Sequence, residues 1–278
     1  METTKWGTRD NPLVGDCSSA GVLSDAGPSG VGGGVYNTAS LSGPLLAIHN
    51  LEKRYALFAL RVENLEVCDG EIVGLLGANG AGKTTLIRSL MGIVGADRAD
   101  ITCQGRKVMS GDPYVKTAIG YVPEDPILYE NERVGGLLAF VGALYPDWDS
   151  ELCNTLLLRF GIEPKKKASM LSKGMRTKLL LVIALAHKPK ILILDEPTSG
   201  LDPLSRDDFW AFLRELFSTG QTRAALISSH QLEDVEQICN RAIFISNGSI
   251  VYDRRDFSAV ALRHLFESHR PAGRVPSF

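Results

Sequence analysis

Between residues 45 and 253, short apolar runs alternate with longer segments whose apolar positions recur every three or four residues. Runs rich in Val, Ile and Leu at 45–49, 60–67, 71–76, 118–122, 191–194, 224–228 and 242–246 read as strands. Segments at 83–91, 131–144, 149–160, 174–187, 204–218 and 231–239 carry helical spacing. Two of the strand runs, Ile191-Leu192-Ile193-Leu194 and Ala224-Ala225-Leu226-Ile227, lack polar alternation. That is the pattern of strands covered by helices on both faces of a mostly parallel sheet. The 60–67 run alternates more, through Leu60, Val62, Leu65 and Val67, and predicts antiparallel strands near the N-terminal end. From 128 to 187 the pattern is almost wholly helical, which predicts an all-α subdomain inserted into an α/β core.

The flanks differ. Residues 1–44 are crowded with Gly, Ser and Pro, as in Gly27-Pro28-Ser29-Gly30 and Gly32-Gly33-Gly34. They offer too little apolar surface to offset the entropy of ordering, and are expected to be a disordered tail. In the short C-terminal extension, 254–278, Phe257, Val260, Ala261 and Leu265 mark one amphipathic helix face. The 278 residues carry 30 Lys+Arg against 32 Asp+Glu, a net charge of −2, so no basic excess draws the chain to nucleic acid or an anionic membrane. The longest aliphatic run, Leu179–Ala186, falls far short of the ~20 apolar residues that span a bilayer. Cysteines at 17, 68, 103, 153 and 239 form no C-x-x-C and are expected to be reduced thiols.

Chemistry enters at Gly77-Ala78-Asn79-Gly80-Ala81-Gly82-Lys83-Thr84, a match to G-x-x-x-x-G-K-[ST] between a predicted strand and a predicted helix. Glycines let such a loop curl its N–H groups onto phosphate oxygens, and the helix N-terminus adds its positive end. Asn79, Gly80, Ala81 and Gly82 are thus candidate phosphate binders. Lys83 is placed to reach the β- and γ-phosphates, Thr84 to ligate Mg2+ and Thr85 to bond the α-phosphate. A second piece lies at Ile191-Leu192-Ile193-Leu194-Asp195-Glu196, where two carboxylates follow a buried strand. Ligands of open α/β sheets gather at the carboxyl ends of strands. Asp195 is therefore the candidate for holding Mg2+, and Glu196 for polarising an attacking water.

These motifs together resemble the nucleotide-binding subunit of an ATP-binding cassette (ABC) transporter, across about 45–253. Leu171-Ser172-Lys173-Gly174-Met175 resembles the family signature, Ser199-Gly200-Leu201-Asp202 its D-loop, and His230 its switch histidine. Tyr55 matches the aromatic residue that stacks on adenine. The resemblance implies a P-loop NTPase core, ATP and Mg2+ as ligands, and catalytic roles for Glu196, His230 and Lys83. It implies that Ser172, Gly174 and Asp202 act across a dimer with a second cassette, identical or paralogous. It also implies docking of an integral membrane permease on the helical region, hinged at Glu124, with Leu128, Tyr129, Phe140, Leu144, Tyr145 and Trp148 as candidate contacts. The subunit would then sit peripherally on the cytoplasmic face of the cell membrane.

The sequence departs from the common signature at Lys173 and Met175, and Glu124 stands where the family usually has a Gln that helps hold Mg2+. The L-S-K-G-M form and Leu144-Tyr145-Pro146-Asp147-Trp148-Asp149 resemble a bacterial export-type branch, which the short C-terminal extension also favours. A soluble ABC-type ATPase acting on nucleic acid or the ribosome is the alternative, disfavoured by the charge balance and by the lack of a second cassette or long heptad insertion. A P-loop kinase lacks the 171–175 pattern, and no GTPase-type N-K-x-D is present.

Overall fold

The computed structural model describes residues 43–125 and 127–269. The expected tail lies almost wholly outside the described residues, as do Cys17 and the end of the C-terminal extension. The strands form one ten-stranded sheet in the order β5-β4-β1-β2-β10-β9-β3-β8-β7-β6. Its parallel half contains β3 (Ile72–Leu76), β6 (Ile119–Val122), β7 (Ile191–Asp195), β8 (Ala224–Ser229) and β9 (Arg241–Ser246). Its antiparallel half contains β1 (Leu46–Tyr55), β2 (Phe58–Val67), β4 (Arg98–Cys103) and β5 (Arg106–Val108). β10 (Ser249–Arg254) joins the halves, running antiparallel to β9 and meeting β2 through the pair Ser249 and Arg61.

The bare apolar runs behave as expected. Every residue of β7 and β8 is buried, and successive side chains feed different cores. Ile191, Ile193, Ala224 and Leu226 pack on the side of α1 (Lys83–Leu90) and the antiparallel strands. Leu192, Leu194, Ala225 and Ile227 pack on the side of α4 (Ser150–Arg159), α5 (Lys173–Ala186) and α6 (Pro203–Ser218). Each fully buried Leu or Ile contributes roughly 1.5–3 kcal/mol. Between β6 and β7 the described residues form α3 (Val134–Gly142), α4, a 3-10 turn and α5, with one isolated bridge, Arg133 to Lys167. α7 (Leu232–Ile238) and α8 (Ala259–Ser268) pack over β9 through Leu232, Val235, Phe244 and Leu262.

Several elements depart from the sequence reading. The first strand continues past 49 to Tyr55, bending where the register with β4 shifts between His49 and Glu52. The strand expected at 118–122 is preceded by α2 (Pro113–Ala118), which Asp112 caps by accepting from the Tyr114 amide at 2.8 Å. The strands β4, β5 and β10 carry no apolar run long enough to announce them, because each is partly exposed. Cys103, Cys153 and Cys239 are free thiols, as expected of them, and Cys17 lies outside the described residues.

One buried titratable group outside the sheet makes stability depend on pH. His187 follows α5, is 6% exposed, and stacks on Tyr145 with ring centroids 4.4 Å apart. Burial holds its imidazole below the ordinary value, partly opposed by the Ile183 carbonyl 3.4 Å from Nδ1. The unfolded chain therefore binds more protons than the folded one as pH falls below about 6.5, so stability is lost in that direction. Thermal unfolding at pH 7.5 and 5.5 is expected to give a lower Tm at pH 5.5, with His187→Phe reducing the difference. An unchanged difference in the variant would assign the pH effect to other groups.

Candidate active site

Four candidate segments leave the carboxyl ends of adjacent parallel strands. The phosphate loop follows β3, Glu124 follows β6, Glu196 follows β7 and His230 follows β8. The strand order β3-β8-β7-β6 therefore gathers residues far apart in sequence at one edge of the sheet.

In the loop, Gly77 passes close under β9, where a Cβ would lie 2.4 Å from the Ile245 carbonyl oxygen. Gly82 has φ +116° and serves as N-cap of α1 without any side-chain cap. By contrast α4, α5 and α6 are capped by Asp149, Ser172 and Asp202, which accept from the third amide beyond. The first amides of α1 thus remain available to an anion. A cleft of about 570 Å3 opens over this loop. It is lined by Tyr55, Phe58, Asn79, Gly80, Ala81, Gly82, Lys83, Thr84, Thr85, Glu124 and Glu196. Tyr55 is 48% exposed, leaving its ring open to a planar base, and Phe58 stands beside it with centroids 6.4 Å apart. Phe58 was not singled out by sequence; it reaches the cleft because β1 and β2 pair Tyr55 with Phe58 across the hairpin.

Lys83 and Glu196 are each nearly buried and face one another, Nζ to Oε1 at 3.3 Å. Lys83 Nζ also donates to the Gly77 carbonyl at 2.8 Å and the Ala78 carbonyl at 3.4 Å. The other oxygen of Glu196, Oε2, lies 2.8 Å from His230 Nδ1 and accepts from the His230 amide at 3.3 Å. The carboxylate is consequently fixed at both oxygens. Its backbone is unusual: Glu196 has φ +47°, a left-handed conformation rare for a residue with a side chain. Such strain costs roughly 1–3 kcal/mol and persists only where surrounding bonds hold it. Here the Glu196 amide donates to Ser228 Oγ at 2.9 Å and its carbonyl accepts from the Ser199 amide at 3.0 Å.

Asp195 is fully buried. Its Oδ1 accepts from Thr84 Oγ1 at 3.1 Å and Ser228 Oγ at 2.7 Å. Its Oδ2 is buried with no hydrogen-bond partner. Burial raises the Asp195 carboxyl above its ordinary value, with the Ser228 and Thr84 hydrogen bonds opposing and Glu196 adding to the rise. An unpartnered buried carboxylate oxygen beside a threonine hydroxyl is a hard-oxygen donor set that suits Mg2+. Burial also raises Glu124, helped by the charges of Glu196, Asp125 and Asp195 and opposed by Lys173. Among the described residues no group of three or more His, Cys, Asp or Glu is arranged to hold a metal unaided. A cation here would need phosphate oxygens to complete its shell.

Not every predicted residue meets in this cleft. His230 lines an adjoining cleft of about 610 Å3 with Ala78 and Asn79. Ser172, Gly174 and Asp202 line neither. Ser172 Oγ accepts from the Met175 amide at 3.3 Å, and Asp202 Oδ1 accepts from the Ser205 amide at 3.0 Å, both as helix caps. The Lys173 stem crosses Gly200, with Nζ 3.5 Å from Ser199 Oγ, so the 171–175 segment and the 199–202 loop adjoin. Of the aromatic and apolar residues on the helical region, Tyr129, Phe140 and Leu144 are well exposed. Leu128 and Trp148 are partly buried against the core, and Tyr145 packs on His187. No described helix is long and apolar enough to cross a membrane.

The sequence profile of the ABC transporter family matches residues 60–199. The chain is 36% identical over 191 residues to the ABC transporter ATP-binding protein YtrB of Bacillus subtilis (strain 168), covering 69% of this chain and 65% of that protein. It is 37% identical over 210 residues to the Nod factor export ATP-binding protein I of Burkholderia orbicola (strain AU 1054), covering 72% and 67%. The matches thus span about two thirds of the length of these relatives. Among solved structures, cbiO1 from Clostridium perfringens, part of the ABC transporter complex cbiONQ, superposes with TM-score 0.67 at 26% identity, covering 81% of this chain and 94% of that one.

Proposed function

The chain belongs to the ABC transporter family as an ATP-binding subunit, and from that premise we propose that it hydrolyses ATP at the Lys83–Glu196 site to drive a separate membrane subunit. The observation that carries this reading is Glu196, a strained carboxylate beside the phosphate loop held between Lys83 and His230. Adenine stacks on Tyr55, a contact worth about 1–3 kcal/mol for a base on an aromatic ring. The triphosphate lies over residues 79–85, and its γ-phosphate takes over from Glu196 as the partner of Lys83. Glu196, released from that ion pair and still oriented by His230, accepts the proton of the attacking water. Mg2+, where bound, neutralises charge on the β- and γ-phosphate oxygens, and Thr84, Asp195 and Glu124 are the residues that would hold it.

Ser172, Gly174 and Asp202 stand apart from the cleft, which fits their acting on ATP bound by a second cassette. Each chain carries one phosphate loop and one signature, so two copies closed head-to-tail complete two sites. ATP favours the closed state because it bridges both chains, and hydrolysis removes the bridging γ-phosphate. The exposed Tyr129, Phe140 and Leu144 offer the apolar surface for a membrane permease, with the subunit held at the cytoplasmic face of the cell membrane. The Nod factor relative supports export as the direction. The near-neutral charge disfavours the nucleic-acid alternative.

The test is co-purification from membranes of the native host. The parent chain is expected to come down with an integral membrane protein, whereas Phe140→Glu with Leu144→Glu remains in the soluble fraction and hydrolyses ATP at the parent rate. Equal recovery of both would remove this surface from the docking account, and recovery on nucleic acid or ribosomes would favour the alternative.

A further inference from the structure

Asp234 lies outside the nucleotide cleft, in α7, and is 2% exposed. Four donors converge on its carboxylate. Oδ1 accepts from Arg206 Nε at 2.7 Å and Trp210 Nε1 at 2.9 Å, both on α6. Oδ2 accepts from Ser229 Oγ at 2.7 Å and Thr198 Oγ1 at 3.0 Å. One oxygen is therefore anchored to the helix that begins after Asp202, and the other grips two loops that carry reacting groups. Thr198 lies two residues beyond Glu196, inside the turn closed by the Ser199 amide on the Glu196 carbonyl and the Leu201 amide on the Thr198 carbonyl. Ser229 immediately precedes His230, and its Oγ also accepts from the Gln231 amide at 2.9 Å, so Ser229 brackets the histidine.

We propose that Asp234 is a positioning residue for ATP hydrolysis, holding the Glu196 turn and the His230 loop in one register through a single carboxylate oxygen. The Glu196 Oε2 to His230 Nδ1 contact is made between two loops that belong to different strands, β7 and β8. The oxygen that bonds both Thr198 and Ser229 fixes the separation of those loops, and the second oxygen stops the carboxylate from turning away. An amide at this position can still accept from Arg206 and Trp210 and donate to the two hydroxyls, whereas alanine meets none of the four groups. With alanine both the α6 anchor and the two-loop grip are lost.

This inference rests on the ATPase reading above, so its test carries one measurement that does not depend on turnover. In Asp234→Ala, kcat is expected to fall about 10-fold or more with ATP-analogue affinity within about 2-fold, because the residue lies outside the cleft that holds the phosphates. In a His230→Ala background the same change is expected to cost little more, since the register it maintains has lost its purpose. Amide hydrogen exchange should quicken together at 196–201 and 229–231, and stay unchanged in α1. Ser229→Ala and Thr198→Val, each removing one donor with little change in volume, should show smaller effects of the same kind and serve if Asp234→Ala does not fold. Full additivity with His230→Ala, or exchange that quickens in neither or only one of the two loops, would overturn the proposal. Parent protein that hydrolyses no ATP while both loops loosen together would leave the register intact and count against the ATPase reading instead.

Discussion

Glu196→Gln is expected to bind ATP at least as tightly as the parent and to release phosphate about 100-fold or more slowly. General-base assistance contributes roughly 10^2–10^4-fold to such a step, and an amide cannot take the proton. The change is nearly isosteric, so the strained backbone at φ +47°, held by Ser228 and the Ser199 amide, has no reason to relax. Binding is preserved for a second reason. The parent carboxylate pairs with Lys83 and places negative charge where the γ-phosphate must come, and the amide removes that competition. ATP then accumulates uncleaved, and the bridged, closed state with it. A variant that turns over at the parent rate would remove Glu196 from the role of base.

Lys83→Ala is expected to fail one step earlier, at binding. The ammonium is nearly buried and already holds two backbone carbonyls and one carboxylate. Its loss removes the ammonium that faces the phosphates and leaves Glu196 Oε1 without its cationic partner beside them. Loss of a charge-assisted hydrogen bond costs about 1.5–3 kcal/mol, and the exposed repulsion adds to it. Affinity for a non-hydrolysable ATP analogue should fall about 100-fold or more. The two variants thus separate the roles of the ion pair: one partner binds, the other turns over. Unchanged analogue affinity in Lys83→Ala, read by calorimetry, would contradict the assignment of the phosphate loop.

How far these roles were visible in the amino-acid order depends on where the information resides. The parallel strands were legible because burial on both faces leaves bare apolar runs, as at 191–194 and 224–227. Partly exposed strands lack that mark. The apolar pattern left β10 unread, and its mark lies in the turn instead: Asn247-Gly248 has φ +47° and +77°, the pair of left-handed residues that a two-residue hairpin requires. The turn Gln104-Gly105, at φ +49° and +77°, does the same between β4 and β5 without an Asn or Asp to signal it. In the site, the loop and the acidic strand end were legible because their chemistry is local and their spacing fixed. Phe58 was not, because only the hairpin register sets it beside Tyr55. The convergence of Thr198, Arg206, Trp210 and Ser229 on Asp234 is a tertiary fact spread over 36 residues. No local pattern encodes it.

The signature residues raise a related point. Ser172 and Asp202 would read as ordinary helix caps if considered alone, and both do cap. A cap satisfies only part of a helix N-terminus, so α5 can be stabilised by Ser172 and still present amides to an anion. Lys173 at the first position of α5 opposes the helix dipole, which is unfavourable by itself. A phosphate brought to that end by a second chain would reverse the balance.

That cross-chain bridge is the centre of the account, and the mass of Glu196→Gln in solution tests it most directly. With saturating ATP and Mg2+, light scattering should give the mass of two chains, with two nucleotides retained per dimer and recovered as ATP. Without nucleotide the mass should be that of one chain. A single-chain mass with ATP bound would contradict the closed dimer, however well the phosphate loop holds its ligand.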